Sequence, residues 1–307
     1  MRIVVTGALG FIGHHLCIGL AKEGYKVLGI DNLSRGKRER IDLLRNHGVD
    51  IVLADIRDSS NIMKTFREFK PEIVMHLAAL ISVDESFKKP LLYEDVNVKG
   101  TINIILASNK TNVWRIVYAS SAAVYGNPVK LPIDEEHPLR PLSPYGASKL
   151  AGEMYIKTIF NGKEGYVILR LFNVYGLGQN PEYAGVITKF MERLERKLPP
   201  IIYGDGTQTR DFIHVLDVVE AFIKAIEVNE SNVVLNIGTG KQTSIKELAY
   251  TMIKLYGLDL QPIYAPPRKG DIKHSYADIS KAKKILKWEP KISLEDGLRM
   301  LIRRQKY

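Results

Sequence analysis

Tyr145 and Lys149 stand one helical turn apart, downstream of the glycine-rich run Gly7-Ala8-Leu9-Gly10-Phe11-Ile12-Gly13. A phenol with an ammonium beside it suits redox chemistry at an alcohol. An unperturbed phenol titrates near pH ~10, so it needs help to act as a base. The Lys149 ammonium, together with a positive nicotinamide ring, is expected to lower it by about three units, roughly 4 kcal/mol. The lysine would also hold the nicotinamide ribose. Ser121 follows the apolar residues 116–119, at a strand end, where its hydroxyl would share a hydrogen bond with the substrate oxygen. Tyr-x-x-x-Lys also arises in ordinary amphipathic helices, so the pair gains its meaning from the glycines upstream.

Those glycines follow a strand-like run, residues 2–6, and open a helical one, 11–23. Gly7 allows the tight turn, Gly10 lets the backbone approach a pyrophosphate, and Gly13 lets helix pack on strand. The helix start offers free N–H groups to an anion. Asp31 closes the second strand, 18 residues after Gly13, placed to accept hydrogen bonds from adenosine ribose hydroxyls. Its charge favours NAD over NADP. Arg35, Lys37 and Arg38 just beyond it are the counter-argument, since they could pair with a 2′-phosphate. Ser143-Pro144-Tyr145 reads as a capped helix start with proline at the first position, which places Tyr145 and Lys149 on one face.

The positioning elements alternate. Strand-like runs at 26–31, 50–54, 72–76 and 114–120 are separated by helical stretches, the pattern of βαβ units in a doubly wound parallel Rossmann α/β sheet. Beyond about Leu171 the pattern loosens. Loops rich in Gly, Gln, Asn and Asp are expected at 173–183 and 203–211, and helical stretches at 186–196, 215–228, 244–256 and 293–304 alternate with short strands. The expected organisation is a dinucleotide-binding domain at 1–172, to which about 212–240 returns, and a smaller C-terminal α/β lobe from 173–211 and 241–307. No glycine/serine linker separates them.

Bulk composition narrows the class. The 307 residues, 45% of them hydrophobic, suffice for a sizeable core. One cysteine, Cys17, excludes an intrachain disulfide and fits a reducing, cytoplasmic setting. No signal peptide or membrane-spanning run is expected. The formal net charge of +10 gathers at 35–40, 281–287 and 299–306. It is read first as solvated lysine-rich surface, then as attraction for an anionic substrate, and last as nucleic-acid binding. His14 and His15 are adjacent on a helix and face different ways, so they are read as structural and no metal is expected.

Taken serially, the chain resembles the extended short-chain dehydrogenase/reductase family, specifically its NAD-dependent sugar-nucleotide epimerases and dehydratases. The matching stretches are Thr6 to Gly13, Asp31-Asn32-Leu33-Ser34, Ala54-Asp55-Ile56, His76-Leu77-Ala78-Ala79 and Asn97-Val98-Lys99-Gly100-Thr101. They continue through Ser120 to Gly126, Ser143 to Lys149, Arg170 to Gly176, Tyr203 to Gly206, Thr209 to Ile213 and Arg268-Lys269-Gly270-Asp271. The resemblance implies that Ser121, Tyr145 and Lys149 are catalytic. For NAD it implies Gly7, Gly10, Phe11, Ile12, Gly13, Asp31, Asn32 and Ser34, with Asp55 and Ile56 at the adenine. Leu77, Ala78, Ala79, Asn97, Tyr145 and Lys149 complete the cofactor set. For the UDP-sugar it implies Ser121, Tyr145, Asn173 and Val186, with Arg210 and Arg268 on the diphosphate, Tyr203 near the uracil and Asp271 near the uridine ribose. Ser275 falls beside the sugar, where a small residue would admit an N-acetyl group.

The implied activity is reversible 4-epimerisation, interconverting UDP-galactose and UDP-glucose through a transient 4-keto sugar, with N-acetylated UDP-hexosamines as further substrates. Dehydratases of the family carry an Asp-Glu pair after the catalytic hydroxyl residue, and UDP-glucuronate decarboxylases a glutamate; Ala122 and Ala123 stand there instead. UDP-glucuronate 4-epimerase or decarboxylase, or another nucleotide-sugar enzyme, remains the alternative. Outside enzymes, the rival is an NAD-sensing or nucleic-acid-binding module. The resemblance also implies a homodimer built from residues 86–109 and the helix carrying Tyr145. Two departures stand out. Leu9 is bulky for the loop and is expected to shift the pyrophosphate geometry slightly, and His14 replaces a usual serine.

Overall fold

A computed structural model describes residues 1–180, 185–267 and 272–304. The chain begins β1 (Arg2–Thr6), α1 (Phe11–Lys22), β2 (Lys26–Asp31), α2 (Arg40–Arg45), β3 (Asp50–Leu53), α3 (Ser59–Phe69), β4 (Ile73–His76). Next come α4 (Val83–Lys88), α5 (Pro90–Glu94), a π turn at Asp95–Lys99 and α6 (Gly100–Lys110), then β5 (Arg115–Ser121). A 3-10 turn at Ala122–Val124, α7 (Pro144–Ile159) and β6 (Tyr166–Leu171) follow. The remainder runs β7 (Asn173–Tyr175), α8 (Val186–Glu195), β8 (Ile201–Tyr203), β9 (Thr209–Arg210), β10 (Phe212–His214), α9 (Val215–Lys224), β11 (Val233–Ile237). It closes with β12 (Thr243–Ser244), α10 (Ile245–Tyr256), β13 (Ile263–Ala265), α11 (Ser280–Leu286) and α12 (Leu294–Arg304).

Seven strands form one sheet in the order β11-β6-β5-β4-β1-β2-β3, and every pairing is parallel. Helices cover both faces, so β4 is buried at all four positions. Alternation along β1 divides the core. Ile3 and Val5 join Leu16, Leu20 and Phe222 on one face, whereas Val4 joins Ile62, Phe66 and Ile104 on the other. The segment 212–237 lies against this body. β11 pairs with β6, and a Cβ added to Gly19 of α1 would sit 3.0 Å from Val219 of α9. A third core, with Phe190, Ile202, Leu248, Met252 and Leu298, belongs to the later elements.

The short strands expected in the later region are present, and two of them fall inside the expected loops. β7 lies within 173–183 and pairs with β10, and β9 lies within 203–211 and pairs with β12. Strands of two or three residues are too short to leave a period in the sequence. The structure ends the helix expected at 215–228 earlier, at Lys224.

Candidate active site

The carboxyl ends of the central strands open into a cavity of about 420 Å³, where parallel α/β sheets place ligands. Gly7, Gly10, Phe11, Ile12 and Gly13 line it after β1, and Asp31, Asn32 and Ser34 after β2. Ile56 and Leu77, Ala78 and Ala79 continue the wall towards Ser121, Tyr145 and Lys149. Asn173 and Val186 bring the later elements to its far side.

The glycine loop is folded too tightly for side chains. Gly7 has φ +71°, and a Cβ there would lie 2.9 Å from the Ala78 nitrogen; a Cβ on Gly13 would lie 2.0 Å from the Gly7 carbonyl oxygen. Leu9 does not disturb the cavity as expected. Its side chain is fully buried in the core beside α1 and is absent from the cavity wall. The Leu9 N–H donates to an Asp31 carboxylate oxygen at 3.0 Å, and the other Asp31 oxygen accepts from the Leu33 N–H at 2.8 Å. Asp31 thus shapes the turn as well as lining the cavity. Burial pushes its carboxyl up, opposed by those N–H donors and by Arg40.

Arg40, which sequence reasoning missed, is 6% exposed. It donates to the Leu9 carbonyl at 2.8 Å and to the Gly178 carbonyl at 2.5 Å, joining the glycine loop to the chain after β7. The histidines act in the same joint. His14 Nδ1 donates to the Gly10 carbonyl at 2.8 Å and His15 Nε2 to the Leu177 carbonyl at 2.9 Å. Burial, with His15 and Arg40 nearby, pushes His14 down to about 3, so the ring is neutral at physiological pH. Among the described residues no group of three His, Cys, Asp or Glu could hold a metal ion.

At the other end, Ser143 caps α7 through the Gly146 N–H at 3.1 Å, and Pro144 occupies the first turn. Lys149 is 3% exposed. Its Nζ donates to the Ala119 carbonyl at 2.8 Å and lies 4.9 Å from the centre of the Tyr118 ring. Burial pulls the ammonium down to about 7, against the raising effect of Glu153 one turn further on. The Ser121 side chain accepts from the Ala123 N–H at 3.1 Å and lines the cavity with Tyr145. The chain alone does not lower the phenol; the expected lowering also calls on the nicotinamide charge. Burial pushes Tyr145 up, and nearby Ser121 offsets only part of it. Lys149 contributes no lowering, since its ammonium is turned to Ala119 and is itself destabilised by the same burial.

Two buried networks support this end. His76 Nδ1 meets Thr6 Oγ1 at 2.7 Å and its Nε2 meets Thr101 Oγ1 at 2.9 Å. Thr101 donates to the Asn97 carbonyl at 2.6 Å, while Thr6 accepts from the N–H groups of Leu77 and Ala78 at 3.1 Å. This chain fixes the backbone along the cavity wall. Behind it, fully buried Glu153 accepts from Ser120 at 2.5 Å and from Arg170 at 3.0 and 2.8 Å, joining β5, β6 and α7.

Other sequence candidates lie off the wall. Asp55 is held by Asn32 at 2.8 Å and by Arg57 at 2.7 Å. The Asn97 amide bonds to the Leu80 backbone and to Ser148. Tyr203, Arg210 and Ser275 sit on the β8 and β9 side; Arg210 donates to the Thr209 carbonyl and the Ser275 N–H to the same carbonyl. Arg268 and Asp271 lie outside the described residues.

A parallel dinucleotide-type sheet with a Tyr-Lys pair and a serine at its carboxyl edge defines the class: a nucleotide-dependent oxidoreductase scaffold. Residues 4–301 match the family model described as GDP-mannose 4,6 dehydratase. A putative UDP-glucose 4-epimerase of Methanocaldococcus jannaschii is 44% identical over 98% of this chain and 97% of its own. The structure of Thermotoga maritima UDP-glucose 4-epimerase with UDP-glucose superposes with a TM-score of 0.94 at 38% identity, covering 100% of both chains. That of Thermus thermophilus UDP-glucose 4-epimerase in complex with NAD gives 0.90 at 36% identity, covering 100% of this chain and 99% of that one. The chain belongs to this family of NAD-dependent epimerases and dehydratases.

Proposed function

We propose that the protein is an NAD-dependent UDP-sugar 4-epimerase that interconverts UDP-galactose and UDP-glucose. One observation carries the reading: Ser121, Tyr145 and Lys149 share a cavity with a glycine loop, and the residues after Ser121 are alanines. Dehydratases of the family carry an Asp-Glu pair there as further acid and base, and UDP-glucuronate decarboxylases a glutamate. Ala122 and Ala123 supply none, and epimerisation requires none.

The cavity fits NAD. A Cβ on Gly7 or Gly13 would strike backbone, so the loop leaves its N–H groups at the start of α1 to a pyrophosphate. Asp31 and Asn32 would serve the adenosine ribose, Ser34 the region beside it, and Ile56 an adenine face. Leu77 to Ala79 and Lys149 would hold the nicotinamide end. NAD supplies a hydride acceptor and donor when bound. Tyr145 takes the proton of the sugar 4-hydroxyl, and Ser121 hydrogen-bonds the same oxygen. The 4-keto sugar turns over in the pocket, and Tyr145 returns the proton once C4 is reduced from its other side. Such acid–base help is worth ~10²–10⁴-fold.

Asn173 and Val186 would contact the sugar side, with Tyr203, Arg210, Arg268 and Asp271 on the nucleotide. Ser275 would admit an N-acetyl group. Exposed Leu91, Leu106, Met154 and Tyr155 on α5, α6 and α7 support a homodimer through these helices. The single, buried Cys17 supports a reducing, cytoplasmic setting, and among the described residues no helix is long and apolar enough to cross a membrane.

The test is incubation with UDP-galactose, UDP-N-acetylgalactosamine or UDP-glucuronate plus NAD, with products identified by NMR. Equilibrating C4 epimers are expected from the first two. Carbon dioxide from UDP-glucuronate would move the protein to the decarboxylases. No conversion in any tube would overturn the reading.

A further inference from the structure

Two residues from opposite sides of the cavity meet over it. Arg35 lies four residues beyond the end of β2, and Glu85 lies in the first turn of α4, after β4. In the sheet, β1 runs between β2 and β4. A bond joining those sides therefore spans the end of β1, where the glycine loop opens and where this class of fold seats a pyrophosphate. Both residues line the cavity. Arg35 Nη2 donates to the two Glu85 oxygens at 2.8 and 2.6 Å.

The acceptor is braced before the arginine reaches it. Lys89 Nζ donates to one Glu85 oxygen at 3.1 Å, and the Tyr93 hydroxyl lies 3.3 Å from the other. Tyr93 also donates to the Ser82 carbonyl at 2.7 Å, and the Glu85 N–H to Ser82 Oγ at 3.2 Å. The pair's side chains are 31% and 15% exposed, so it is screened less than a pair in open solvent. Burial raises the Glu85 carboxyl, but the bonds from Lys89 and Arg35 outweigh it and hold the group below the ordinary glutamate range.

We propose that Arg35 and Glu85 form a cofactor latch that excludes a 2′-phosphate and slows the loss of bound NAD. The inference rests on the NAD reading above and adds two residues to it. A site for a 2′-phosphorylated dinucleotide needs a cation beside the ribose acid. Arg35 is the first arginine after Asp31, and Glu85 claims its guanidinium. Lys37 is paired with Glu39 at 3.7 Å. A 2′-phosphate therefore meets the Asp31 carboxylate and an arginine already engaged. The same bond must open before a dinucleotide lying across the end of β1 can leave.

The test compares the parent with Glu85→Gln and Arg35→Met. Two quantities are read: the exchange of bound NAD for isotopically labelled NAD, and the ratio of NADP to NAD dissociation constants. Both variants should exchange about tenfold faster, the equivalent of about 1.4 kcal/mol. Glu85→Gln alone should lower the NADP-to-NAD ratio, also by about tenfold, because it alone removes a carboxylate from the cavity while keeping the arginine. Parental exchange and an unchanged ratio in both variants would overturn the latch. So would faster exchange confined to Glu85→Gln with a lowered melting temperature, since Glu85 would then merely hold α4. A parent that binds neither dinucleotide would instead overturn the function proposed above.

Discussion

Replacing Lys149 with methionine should stabilise the protein while disabling it. Methionine keeps the apolar stem and removes an ammonium that is 3% exposed. Burial lowers that group from 10.5 to about 7. At about 1.4 kcal/mol per tenfold, keeping it charged below pH 7 costs the fold roughly 5 kcal/mol. The lost bond to the Ala119 carbonyl returns about 1 kcal/mol, leaving a net gain of about 3–4 kcal/mol at pH 6.5. The sign follows from linkage. Between about 7 and 10.5 the unfolded chain holds a proton that the folded chain has released, so parental stability rises with pH by up to ~1.4 kcal/mol per unit. The variant lacks that slope, and its advantage should vanish near pH 10. Lys157 is also lowered by burial, but it is present in both proteins and cancels in the difference. Urea unfolding of nucleotide-free protein at pH 6.5, 8 and 9.5 measures the gap. A variant no more stable at pH 6.5, or a gap that stays constant with pH, would refute the reasoning.

Tyr145→Phe should cut epimerisation by ~10²–10⁴-fold with NAD still bound; turnover and retained nucleotide are measured on the same preparation, and parental turnover would remove Tyr145 from the mechanism. Gly13→Ala places a Cβ 2.0 Å from the Gly7 carbonyl oxygen, so the loop must move. NAD binding should be lost by titration, and stability should fall by roughly 1–3 kcal/mol in denaturant. Leu91 is 80% exposed on α5, and Leu91→Asp should leave a folded monomer in light scattering if these helices form the homodimer; an unchanged mass would place the interface elsewhere.

Local spacing made much of this site legible. Three glycines running from the end of a strand into a helix, an acid at the end of the next strand, and a serine-capped helix with Tyr145 and Lys149 on one face are all set by neighbours within a few residues. Contacts between distant segments were not legible. Arg35 and Glu85 are 50 residues apart, Arg40 reaches Gly178 across 138, and no period in the chain announces either. Leu9 misled for a related reason: its bulk was visible, whereas its direction, into the core beside α1, depends on where the rest of the sheet packs.

Protonation was the hardest property to read, and the reason is physical. The sequence places an ammonium beside a phenol, and in water that pairing favours phenolate. In the fold both groups are desolvated together. Burial raises Tyr145 and lowers Lys149, and each shift favours the neutral form. Glu153 opposes the second shift from within the same helix, but its carboxylate is shared with Arg170, which limits how much charge it lends. Identity and spacing therefore establish which groups meet, while burial decides where the proton rests. The chain alone leaves that proton on the phenol, so a reactive phenolate needs positive charge brought to the cavity from outside the protein, which makes base strength conditional on occupancy.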